Sequence, residues 1–166
     1  MSKFLALLLS AALLFSANPA VCQSKVSGSS RFFREIYEQP KTTRADAVRA
    51  ACFMVSKGGP AWTFEEAMAI LKEKKILPSN WKVEGNTPLN KGFLSNILLR
   101  IIRHESNQSG GIFVRMWGIN DRTAYRECLH HQILSPGGEN KFVAGCELVG
   151  AINQASRFIR ERRNYK

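Results

Sequence analysis

The chain has 166 residues and carries 24 Lys and Arg against 13 Asp and Glu, a net charge of +11. That length suits one domain able to bury a real core, and the basic excess points to an anionic partner. With only two Asp, at 46 and 121, and no glycine-rich phosphate loop, little in the chain supports paired-carboxylate or nucleotide chemistry.

Residues 1–22 read as a secretory signal peptide. Lys3 gives a short positive start, residues 4–15 form an apolar run too short to span a bilayer, and Pro19 and small residues precede a cut after Cys22. Lipidation of Cys22, which would anchor the chain to a membrane, is the alternative, although Val21 and Pro19 are poorly placed for it. Removal of this segment leaves 144 residues with 23 basic and 13 acidic side chains, a net of +10. An exported chain rarely meets nucleic acid, so the expected partner is a wall polymer, an anionic lipid or an acidic protein.

Residues 23–42 are expected to be a flexible lead. Residues 23–30 are small and polar, and residues 31–38 (RFFREIYE) predict a short helix that Pro40 stops. From residue 43 the chain repeats itself. Ala47, Ala50, Ala51, Met54 and Val55 form one apolar stripe, and Leu94, Ile97, Leu98, Ile101 and Ile102 form a second with identical spacing. A third runs through Leu148, Ala151, Ile152 and Ala155, with Ile159 a turn beyond. Each stripe is one face of a helix. Their starts, Ala47, Leu94 and Leu148, lie 47 and then 54 residues apart.

A second element recurs between these helices. Residues 67–77 (AMAILKEKKIL) and 124–134 (AYRECLHHQIL) match at an offset of 57, and each runs into a Pro-containing turn. Self-similarity at such periods predicts supersecondary units that bury their apolar faces only against one another. Thr43 with Asp46 and Thr63 with Glu66 are spaced as capping boxes, Asn120-Asp121 can open another helix, and Lys57-Gly58-Gly59-Pro60 is a stop. Residues 111–118 (GIFVRMWG) are short and apolar, and a helix of one or two turns is favoured over a buried strand. Residues 160–166 are left as a basic tail that frays or lies on an anionic surface.

Cys52, Cys128 and Cys146 are an odd number, so at least one is unpaired in an oxidising compartment; buried free thiols and a single disulfide both remain open. Cys128 and His131 share a helical face and offer two metal ligands at most, while Cys128 aligns with core residue Leu71. A Cys–His nucleophile lacks an orienting third group here. The expectation is therefore no metal, no cofactor and no catalysis. Trp62, Trp81 and Trp117 suit packing first, with Trp81, beside Lys82 and Asn86, the best sugar-facing candidate.

Order and spacing of these segments resemble the surface-layer homology (SLH) repeat family over residues 43–159. Thr43-Arg44-Ala45-Asp46 matches that family's helix opening. Lys91-Gly92 keeps the basic and small positions with Phe93 in place of the acid, and Gly145-Cys146-Glu147 keeps the acid without the basic residue. The Ile76-Leu77-Pro78 and Ile133-Leu134 ends match its first helix. The resemblance implies an all-α architecture of tandem helix-loop-helix repeats packed as one compact domain. It implies a non-catalytic module of the cell envelope or periplasm that binds an anionic wall polymer such as peptidoglycan-linked polysaccharide. Arg44, Asp46, Lys91, Trp81 and Glu147 are the ligand-binding candidates; the alternative is an accessory subunit that docks an envelope protein.

Overall fold

The computed structural model describes residues 28–56, 62–106 and 116–164. The expected signal peptide, Cys22 and the Lys57–Pro60 stop lie outside these residues, as does most of 111–118. Six helices carry the described chain: α1 (Gly28–Tyr37), α2 (Arg44–Val55), α3 (Phe64–Glu73), α4 (Lys91–Ser106), α5 (Asp121–His130) and α6 (Gly145–Asn164). Among the described residues the only β-type pairings are isolated bridges, Thr43 with Pro88 and Asn90 with Phe142. The chain is all-α.

Local sequence chemistry sets the helix ends. Thr43, Thr63 and Asn120 are N-caps, each in a reciprocal capping box with Asp46, Glu66 and Thr123 respectively. Helices α3 and α5 end alike. In α3 the Ile76 N–H donates to Leu71 O and Lys75 N–H to Lys72 O; in α5 the Ile133 N–H donates to Cys128 O and Gln132 N–H to Leu129 O. These are Schellman stops. Each needs one left-handed residue, supplied without glycine by Lys75 (φ 57°) and Gln132 (φ 54°), which lie 57 positions apart.

Helix α4 forms the middle of the body. Every residue from Lys91 to Leu99 is buried, the pattern of a helix enclosed on all sides. It packs on α2, α5 and α6, and α6 in turn packs on α1 and α2. The start of α4 and the leads into α2 and α6 converge. Thr42 N–H donates to Val143 O (3.1 Å), Val143 N–H to Leu89 O (3.0 Å) and Leu89 N–H to Thr42 O (2.9 Å), closing a ring of three backbone hydrogen bonds. All three residues are at most 1 % exposed, and they are spaced by 47 and 54 residues along the chain. Two positions further on, the first residue of each helix makes an equivalent bond at 2.9 Å: Arg44 N–H to Thr87 O, Lys91 N–H to Lys141 O and Gly145 N–H to Gln39 O.

The folded body extends beyond both expected boundaries. Helix α1, within the expected flexible lead, buries Phe32 and Ile36. Phe32 and Phe33 lie 5.1 and 5.5 Å from Phe53, whose other side meets Trp62 at 4.9 Å. Burial in this aromatic cluster offsets the cost of ordering α1. At the other end, residues 160–164 continue α6, and Arg163 bonds the Glu105 carboxylate at the end of α4.

Among the described glycines, Gly145 is the most closely approached. A Cβ there would lie 1.7 Å from Ile36 O and 2.7 Å from Ile36 C. Gly145→Ala is therefore expected to cost about 3 kcal/mol or more, because main chain cannot step aside as a side chain can. Gly150 is its control. It is exposed within α6 with nothing within 4 Å of a built Cβ, so Gly150→Ala should gain about 0.5–1 kcal/mol from helix propensity. Urea denaturation of both variants checks the pair, and equal effects would refute the close-approach account.

Candidate functional site

Within the series α2, α4 and α6, the first residue of one helix reaches the third residue of the following member, in two places. Lys91 opens α4 and meets Glu147, the third residue of α6. The lysine side chain is wholly buried, and its Nζ lies 2.6 Å from Glu147 Oε1. It also donates to Ser135 O (2.8 Å), Ser135 Oγ (3.0 Å) and Pro136 O (3.2 Å). Ser135 Oγ–H completes the set by donating to Glu147 at 2.6 Å. The ammonium has only three protons, all taken up inside the fold, where they hold the 134–137 turn against α6.

Arg44 opens α2 and stands where Lys91 stands, but the third residue of α4 is Phe93. An ion pair is impossible, and the guanidinium instead lies over the Phe93 ring, 4.7 Å from its centroid. Trp81 packs on Phe93 at 5.4 Å, and Arg100 caps the Trp81 ring at 5.4 Å. The result is a stack of guanidinium, ring, ring and guanidinium. Arg100 is fixed by its Nε–H bond to Asn96 Oδ1 (2.7 Å), and Asn96 in turn donates to Asp121 (2.7 Å). Burial, then the charge of Arg103, lower the Arg100 pKa, against the opposing pull of Asp121. Arg44 Nε is buried with no hydrogen-bond partner, an unusual state for a guanidinium nitrogen.

The third junction lacks a cation because Gly145 occupies that place. The carbonyl of Ile36, at the end of α1, fills the volume a side chain would need.

Of the sequence candidates, Arg44 and Trp81 come together on Phe93. Lys91 and Glu147 form a separate, inward-facing pair. Asp46 accepts from Thr43 N–H and Oγ–H at 2.9 and 2.8 Å and serves its cap. Sequence reading noted Phe93 only as a lost acid. Its spacing of seven from Arg100 places both on one side of α4, and that was the available signal for the stack.

Cys128 is fully buried, and its Sγ–H points to Ser95 O at 3.8 Å. Burial pushes its thiol up to about 12, so it stays protonated at neutral pH and is a poor nucleophile or metal ligand. His131 stacks on Phe158 at 4.7 Å and lies 3.3 Å from Glu127. Among the described residues no three His, Cys, Asp or Glu side chains group to hold a metal. Cys52, Cys128 and Cys146 are free thiols, with Cys146 exposed rather than in the core. Trp62 packs in the α1–α2 aromatic cluster, whereas Trp117 is 60 % exposed. No described helix is long and apolar enough to cross a membrane. No protein family, curated protein or solved structure matches the chain.

Two outcomes follow. Burial pushes the Glu147 carboxyl up, but hydrogen bonds from Lys91 and Ser135 and the charges of Lys91 and Lys141 outweigh it, leaving it below the ordinary carboxylate range. A depressed folded-state pKa stabilises the fold above the unfolded value and loses that contribution as pH falls. Glu147→Gln should thus cost about 1–3 kcal/mol at neutral pH, with the gap beginning to close as pH falls through the ordinary glutamate value of about 4.3. A gap unchanged at pH 3 in urea titrations would rule the pair out as its source. Among the three described thiols, native protein exposed to iodoacetamide should be alkylated at Cys146, with Cys52 and Cys128 reacting only after unfolding. Rapid labelling of native Cys128, read by peptide mass mapping, would contradict its burial.

Proposed function

We propose that this chain is a non-catalytic module of the bacterial cell envelope, built from SLH-like helical repeats, that holds an anionic wall polymer. The observation that carries the reading is the Arg44–Phe93–Trp81–Arg100 stack. Guanidinium groups laid over aromatic rings suit a carboxylated or phosphorylated polymer: the rings hold the two cations in place, and the forked donors take the charge. Arg44 also sits at the start of a helix, where the macrodipole favours an anion. Asp46, Lys91 and Glu147 hold helix starts in place and are not part of the proposed contact.

The repeat reading is supported by two sets of spacings. The backbone ring recurs at 47 and 54, and the Schellman stops recur at 57. These equal the offsets of the apolar stripes and of the paired helical segments. Export to the envelope rests on the expected signal peptide and on the basic charge. Docking of an envelope protein is the second reading, favoured by Met116 and Phe142, which are 66 % and 54 % exposed.

Purified protein mixed with isolated peptidoglycan should sediment with it at low salt and be released at high salt, since screening weakens exposed contacts. Arg44→Gln combined with Trp81→Ala should cut retention by roughly tenfold, through the loss of one charge-assisted contact and of the ring that holds Arg100. Absence of retention at low salt would refute polymer binding. A specific cross-linked protein complex formed without wall material would instead support docking.

A further inference from the structure

A second basic feature lies between α5 and the loop that follows it. Helix α5 and the loop that follows it enclose an open depression of about 750 Å³, lined by Arg122, Tyr125, Arg126, Gly138, Glu139 and Lys141 among others. Arg122 and Arg126 are four residues apart and so project from one face of α5. Both are exposed, and Lys141 approaches from the loop. Among the described residues, none of the three makes an ion pair within 4.0 Å. Lys141 acts on Glu147 through its field, but that carboxylate is already bonded to Lys91 and Ser135.

We propose that this depression binds a phosphoryl group. Three cations against the single carboxylate of Glu139 leave two positive charges, matching the −1.5 to −2 that a phosphate monoester carries at neutral pH. Two guanidinium forks supply paired donors of the shape phosphate accepts. Like charges at this spacing on a helix repel one another, and a shared anion removes that penalty.

Tyr125 adds a directed neutral donor. Its oxygen accepts the Gly138 N–H at 3.0 Å, so its own hydrogen remains to donate. That bond also holds the Gly137-Gly138 turn, both of whose residues have positive φ (150° and 86°), in place at the rim.

The paired segment of α3 lacks this feature. The residues 57 positions earlier, matching Arg122 and Arg126, are Glu65 and Ala69. The basic face is therefore not a by-product of the repeated architecture. The inference stands on residues separate from the Arg44 stack, and either can fail without the other.

The test is an ¹H–¹⁵N NMR titration of the purified protein with inorganic phosphate at constant ionic strength set by chloride. Saturable shifts are expected at the Gly138 and Lys141 amides and at the Arg122 and Arg126 Nε–H signals. Arg122→Gln with Arg126→Gln should weaken binding by roughly tenfold or more, as expected for loss of charge-assisted forks. Tyr125→Phe should weaken it less, and Arg44→Gln should leave it unchanged. Lys141→Gln, on an exposed loop, provides a second reading should the double variant not fold. Dimethyl phosphate distinguishes the source: binding as tight as phosphate assigns the site to a phosphodiester polymer, and markedly weaker binding assigns it to a free or monoester phosphate. Shifts that do not saturate, that spread equally over Arg157 and Arg160, or that persist in the double variant would overturn the proposal.

Discussion

Three buried stretches of chain meet at Thr42, Leu89 and Val143, and each must satisfy its backbone there without water. An unpaired buried N–H or C=O costs about as much as a lost hydrogen bond. The ring solves this in the smallest possible way: each residue donates once and accepts once, and the last partner is the first. No sheet is built, yet three segments distant in sequence are fixed side by side. The helices α2, α4 and α6 then leave that point with their entry positions already set. What packs around α4, and which side chains face one another at the helix starts, follows from that closure.

The helix starts show how one backbone arrangement supports different chemistry. At one junction Lys91 finds a carboxylate, and a buried charge is tolerated because four oxygen atoms surround it. At the next, the same geometry gives Arg44 a phenyl ring, and the interaction becomes cation–π. At the third, main chain from α1 occupies the site and only glycine fits. Arg with Phe in place of Lys with Glu at the two facing positions separates an inward, structural cation from one with donors to spare. The basic excess of the chain is thus unevenly used. Lys91 is committed to a buried pair and Arg163 to a surface pair, whereas Arg122, Arg126 and Lys141 share one depression with Glu139 as its sole lining acid.

Much of the local structure was legible in the residues themselves. The capping boxes at Thr43 and Thr63, the cap at Asn120, and the core positions Leu71 and Cys128 follow from short-range spacing, because a helix puts residues three and four apart in contact whatever lies around it. The site was less legible. Arg44 and Trp81 are 37 residues apart, and nothing in their neighbourhoods indicates that Phe93 brings them together. Lys91 reads as a surface base by residue type, since lysine is almost never fully buried without a partner, and its partners lie 44 and 56 residues away. The fold's outer limits were misread for a related reason. Residues 31–38 predict a short helix, but that it packs on the body depends on Phe53 and Trp62 meeting Phe32 and Phe33, and neither is close in sequence.

The sequence by itself determined that this is a helical, strongly basic chain, and where most of its helices begin and end. Those properties depend on periodicity, caps and charge, which act within a few residues. Tertiary structure alone decided which cations are enclosed and which are presented. That outcome depends on which side chain the ring of Thr42, Leu89 and Val143 carries opposite each helix start. Such a choice is made across forty or more residues of chain, where no local rule reaches.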